Sequence, residues 1–239
     1  MTEPLLLAAT QISTFEGTRL LTRASGFFFL RDERLFLVTS RHVVIDKPSK
    51  HFPDRIEIEL HTDAGNLTRS TGLSVLLYLE GKSIWHQGKD PSGEIEVGTA
   101  LLIVGFPLGF HDTLHHLPVV RQAVIASSFG LRFQGQGFFL TDARTHRGTS
   151  GAPVVMRAPA SDTPEGDLPW KLLGVHSARM DMRTRDRQED ESLGLNCAWY
   201  ADILMTLTEE ADRPAVAGSL ATLRDQDQAD AKDQRVSSD

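Results

Sequence analysis

Arg147-Gly148-Thr149-Ser150-Gly151-Ala152-Pro153 is a short turn in which glycines stand close on either side of one hydroxyl, and it runs into the apolar pair Val154-Val155. Glycine has no Cβ, so it accepts positive φ and lets another backbone approach closely. A serine held on such a turn presents its hydroxyl outward. The backbone amides of Gly148 and Ser150 can point the same way there, which is the arrangement of an oxyanion hole. Short Gly/Ser motifs also recur by chance, and the competing reading is an ordinary glycine-rich loop.

A second stretch weighs against that alternative. Ala24-Ser25-Gly26-Phe27-Phe28-Phe29-Leu30 and Leu35-Phe36-Leu37-Val38-Thr39-Ser40-Arg41-His42-Val43-Val44 are apolar runs split by the charged turn Arg31-Asp32-Glu33-Arg34. That pattern predicts a β-hairpin over 27–30 and 35–39. His42 stands at the end of its second strand. A histidine there, upstream of a Gly-x-Ser-Gly turn, reads as the base for the hydroxyl of Ser150.

Taken together, Ser-Gly-Phe-Phe from Ser25, Leu-Val-Thr-Ser-Arg-His-Val-Val from Leu37 and Gly-Thr-Ser-Gly-Ala-Pro-Val-Val from Gly148 resemble the trypsin-like (chymotrypsin-fold) serine proteases, most closely their bacterial, disulfide-free branch. Leu172-Leu173-Gly174-Val175-His176-Ser177 resembles the strand that lines the primary specificity pocket in that family. The likeness extends over roughly residues 5–206. It implies an all-β fold of two β-barrels with a short C-terminal helix. The barrels are expected over 1–98, carrying His42, and 99–208, carrying Ser150, with a disordered or weakly helical tail over 209–239. Many short alternating runs and little helix point independently to a barrel or sandwich. Strands are expected at 5–14, 56–60, 75–79, 100–105, 119–126, 137–141, 171–176 and 195–200, a helical turn at 43–45 and a closing helix at 201–210.

The family's mechanism also needs a carboxylate to orient the histidine. In the family template the acid follows the base by about 45 residues and precedes the serine by about 93. Asp90 lies 48 residues after His42 and 60 before Ser150, so the first interval fits and the second is short. Three readings stand. Asp90 is the acid in a compact variant; Glu94 or Glu96 replaces it; or the natural chain has a further segment between Ile95 and Glu96. Asp90-Pro91 reads by itself as a surface turn.

The same resemblance places Arg144 where trypsin-type enzymes carry an acid for basic side chains, which argues against cleavage after Lys or Arg. Thr145 and His176 match positions that glutamyl endopeptidases use to grip a Glu side chain, and Ser177 follows on the same strand. A hydroxyl and an imidazole are donors suited to a carboxylate or amide, so the expected preference is Glu or Gln. The alternative is that both residues are generic to bacterial relatives.

Composition narrows the rest. A formal net charge of −7 leaves no basic footprint for nucleic acid. One cysteine, Cys197, excludes an intramolecular disulfide and fits a reducing compartment. The first residues have neither the charge nor the apolar length of a signal peptide, and no stretch approaches a membrane span. A cytoplasmic protein is expected, acting on a protein or peptide substrate without a cofactor. His111, His115 and His116 lack acids or cysteine in ligand spacing, so no metal is expected. The competing function is a pseudoprotease, or a protease awaiting an activating partner. An α/β-hydrolase is disfavoured because its Ser…Asp…His order is reversed here.

Overall fold

The computed structural model describes residues 3–63, 65–76, 95–158, 168–180 and 194–209. The expected strand at 5–14 opens instead with a helical turn, α1 (Pro4–Leu7), which buries Leu5. Proline at a first helical position presets φ, and three successive leucines lack the alternation of a half-buried strand. Strand β1 (Ala9–Glu16) starts where alternation starts, turning Thr10, Ile12 and Thr14 inward.

The predicted hairpin is present but longer on its first arm: β2 (Arg19–Arg31) pairs with β3 (Arg34–Val38). Asp32 and Glu33 at its tip both take positive φ, 48° and 63°, as a two-residue turn of the primed type requires. The chain then makes a single helical turn, α2 (Arg41–Val44), and returns as β4 (Arg55–His61) and β5 (Ser70–Leu76). These strands form an antiparallel sheet in the order β3-β2-β1-β4-β5.

The second half gives β6 (Ala100–Gly105), β7 (Val119–Ile125), β8 (Phe138–Asp142), β9 (Pro153–Arg157), β10 (Trp170–Arg179) and β11 (Leu195–Tyr200). They close a barrel in the order β10-β11-β8-β7-β6-β9. Helix α3 (Asp202–Leu207) follows. The fold is all-β, as expected: a closed barrel and, among the described residues, a five-stranded antiparallel sheet that forms the first half.

Residues up to Thr208 form one compact unit. Ile12, Ala24, Val43, Ile56 and Ile58 fill the first sheet, while Leu101, Ile103, Phe139, Val154 and Ala198 fill the barrel. A third cluster takes Phe27 and Val38 from the first sheet and Val104, Val155 and Val175 from the barrel. That shared core sets the ends of β3 and β9, and with them His42 and Ser150, against one another. Asp90, Glu94 and nearly all of the expected tail at 209–239 lie outside the described residues. No described helix is long and apolar enough to cross a membrane.

Candidate active site

The turn before β9 is built by close approach of main chain. Gly151 has φ +87°, and a Cβ there would stand 2.1 Å from the Ser25 carbonyl oxygen and 2.3 Å from Thr39 Oγ1. Gly148 has φ +91°, and its Cβ would stand 2.5 Å from the Phe106 carbonyl oxygen. Glycine is therefore required twice, once for dihedral and once for space at each position.

Ser25, fully buried, joins this turn to the first sheet. Its amide donates to the Ser150 carbonyl (2.9 Å) and its hydroxyl donates to the Gly148 carbonyl (2.7 Å). The same hydroxyl accepts from the Phe106 amide (2.9 Å), and Thr39 Oγ1 donates to the Ser25 carbonyl (2.8 Å). The sequence displays Ser25 only as a small residue beside Gly26, and nothing in its type announces partners so far along the chain.

With the Gly148 carbonyl held inward, the amides of Gly148 and Ser150 donate no hydrogen bond to any described residue. Two free amides beside a serine hydroxyl are the donors that a developing oxyanion needs.

Ser150 and His42 line one cleft of about 520 Å³. In this structure the Ser150 hydroxyl donates to the Ser177 carbonyl (2.7 Å). Ser177 sits at a β-bulge in β10, where the register against β11 shifts between His176 and Ala178. Such a bulge re-aims the chain locally. The His42 imidazole makes no hydrogen bond among the described residues. Burial pushes its pKa below the ordinary value; the charge of Asp46 opposes this and that of His51 adds to it.

Asp46, four residues beyond His42 and on the same cleft, is thus the described carboxylate whose charge acts on the His42 imidazole. Sequence spacing gave it no prominence because the template looks for an acid some 45 residues on. Asp46 is engaged locally, accepting from the Ser49 amide (3.3 Å) and hydroxyl. Glu96 is exposed in the turn before β6, outside the cleft.

The residues expected to set specificity separate. Arg144 is exposed, and its carbonyl accepts from Arg121 Nε (3.0 Å). Thr145 is buried, and its hydroxyl donates to Asn196 Oδ1, which directs that proton inward. His176 is 2% exposed and its Nδ1 has no hydrogen-bond partner among the described residues. Burial, and secondarily the charge of His42, pushes it down to about 4, so the ring is neutral near pH 7. Its carbonyl accepts from the Gly151 amide (2.8 Å) and the Ser40 hydroxyl (3.0 Å), which ties β10 to both the serine turn and the histidine turn. Among the described residues no group of His, Cys, Asp or Glu is arranged to hold a metal; His115 Nδ1 pairs with Asp112 (2.7 Å).

A serine turn and a histidine turn brought together by two antiparallel sheets define the chymotrypsin-like architecture. The chain belongs to the trypsin-like peptidase family, whose domain model matches residues 24–158. It is 23% identical over 171 residues to the mitochondrial serine protease HTRA2 of Drosophila persimilis, covering 67% of this chain and 35% of that protein. The chain thus spans about a third of the length of that curated relative.

Among solved structures, a scabies mite inactivated protease paralogue aligns at a TM-score of 0.48 and 17% identity, covering 86% of this chain and 95% of that one. A serine endoprotease from Yersinia pestis aligns at 0.47 and 16%, covering 86% and 65%. An inactive form of the Mycobacterium tuberculosis H37Rv protease Rv3671c aligns at 0.45 and 13%, covering 86% and 91%.

Proposed function

We propose that the chain is a serine endopeptidase working through an acyl-enzyme. The observation that carries this reading is the pair of amides, Gly148 and Ser150, with no acceptor among the described residues, in a cleft that also holds His42. The Ser150 hydroxyl leaves the Ser177 carbonyl and turns to the imidazole. Its oxygen attacks the scissile carbonyl as His42 takes the proton, and the two amides receive the oxyanion. His42 then gives that proton to the leaving amine as the C–N bond breaks. Water, deprotonated by His42, cleaves the ester and restores the serine. A neutral His42 is the working form, and its lowered pKa keeps it neutral at pH 7.

The buried, neutral His176 supports a preference for Glu or Gln before the cut, since one ring nitrogen can donate to a side-chain oxygen. Thr145 supports this less, because its proton faces Asn196. Asp90 as the orienting acid rests on its spacing from His42 alone, and the single cysteine supports a cytoplasmic setting, to be checked by cell fractionation.

The second reading is a chain that is inactive alone and switched on by a partner. It is supported by the Ser150 hydroxyl resting on a carbonyl and by an imidazole with no hydrogen bond among the described residues. Labelling with a fluorophosphonate, read by intact mass, tests both. One adduct on the wild type, absent from Ser150→Ala and slowed by about 10⁴-fold or more in His42→Ala, fits the peptidase. A folded wild type that takes no label sinks that reading. Labelling that appears on adding a partner establishes the second.

A further inference from the structure

The cleft carries more charge than its catalytic pair needs. Its lining holds four cations, Arg19, Arg23, Lys50 and Arg147, against two carboxylates, Glu16 and Asp46. Both carboxylates are engaged: Glu16 pairs with Arg19 at 2.7 Å, and Asp46 accepts from Ser49. Arg23, Lys50 and Arg147 are exposed and form no ion pair or side-chain hydrogen bond among the described residues. Arg23 is placed by its stem, which lies over Gly109: a Cβ there would meet Arg23 Cδ at 3.2 Å. A chain with net charge −7 thus gathers around Ser150 a cleft whose described lining is net positive, with three cations in no ion pair among the described residues.

The mechanism says which end of a substrate meets them. His42 must protonate the leaving amine, so the segment after the cut lies on His42's flank of Ser150. Besides His42 and Ser150, the cleft is lined by residues at the start of β2, by residues 49–52, and by Arg147, next to Gly148 in the chain.

We infer that Arg23, Lys50 and Arg147 select substrates with Asp or Glu in the first residues after the cleaved bond. This rests on the peptidase reading and names the substrate class of that same site. Exposed ion pairs are individually weak, each good for about fivefold at most. Three together favour acidic over amide side chains by roughly 10–50-fold in kcat/KM at low salt. The preference shrinks as salt screens it.

The test is cleavage of a proteome-derived peptide library, with residues after each cut read by mass spectrometry. Fluorogenic peptides follow, matched except for Glu or Gln after the cut. The expected result is acidic enrichment that falls severalfold in Arg23→Glu and reverses in the double variant Arg23→Glu/Arg147→Glu. The exposed Lys171→Glu on β10, outside the cleft, keeps the wild-type Glu/Gln ratio. Because a ratio is read, partial misfolding of a variant does not imitate the effect. Cleavage with no acidic bias, or a bias the cleft variants leave intact, overturns the inference while leaving the peptidase reading standing. No fluorophosphonate adduct and no cleavage, with or without a partner, removes the peptidase reading and with it this statement about substrates.

Discussion

The turn carrying Ser150 meets neighbouring main chain at Gly148 and Gly151, whereas the turn carrying His42 leaves its imidazole with no hydrogen bond among the described residues. Ser150 is positioned by backbone, His42 by burial and diffuse charge. Backbone placement is written locally in glycines. Placement of an imidazole needs a partner side chain, which the chain can supply from anywhere along its length.

Gly151→Ala should have the largest effect. It forces a side chain into positive φ and places a Cβ inside contact with Ser25 and Thr39. The strain and clash together cost ~3 kcal/mol or more, a fall of about 6–12 °C in Tm by calorimetry. A loss below 2 °C would mean that the turn is not clamped as described.

Ser25→Ala comes next. It removes the donor to the Gly148 carbonyl and the acceptor of the Phe106 amide, leaving buried polar groups unpaired at about 1–3 kcal/mol. Freed of Ser25, the Gly148–Thr149 peptide can turn, which alters the dihedrals on either side and misaims the flanking Gly148 and Ser150 amides. Acylation by fluorophosphonate should slow by roughly 10–100-fold, approaching the loss of one oxyanion donor. Unchanged acylation in a destabilised variant would confine Ser25 to packing.

The smallest effect concerns the base. Desolvation keeps His42 below its ordinary 6.5, with Asp46 pulling the other way. The neutral form is the base, so activity persists into mild acid, and the acid limb of kcat/KM should have its midpoint below 6.5. A midpoint above that value would show a carboxylate beside the imidazole that outweighs burial. In that case the contrast between the two turns would narrow, and Asp90 would gain support.

How much of this was legible in the sequence follows from the same contrast. Gly148 and Gly151 announced their turn because no other residue serves there, and the apolar runs around Arg31–Arg34 announced a hairpin. The helical turn at Pro4–Leu7 was missed because its leucines are equally apolar in strand or helix. The direction of the Thr145 hydroxyl depends on Asn196 across β8 and β11, which no local pattern reveals. Asp46 escaped notice because a template of spacings looks past near neighbours. The bulge at Ser177, which receives the Ser150 hydroxyl, is a register shift between strands and has no signature within either one.

Ser25 reaches Gly148 across 123 positions of sequence, and Ser40 reaches His176 across 136. Contacts of such separation form late, since long loops must close before they are rewarded. On the ribosome, the histidine turn emerges more than a hundred residues before the strand that braces it. In a nascent chain, therefore, the contacts that brace the two turns cannot all form until β10 has been made and docked. Under the proposed function, completion of the fold and maturation of the site coincide.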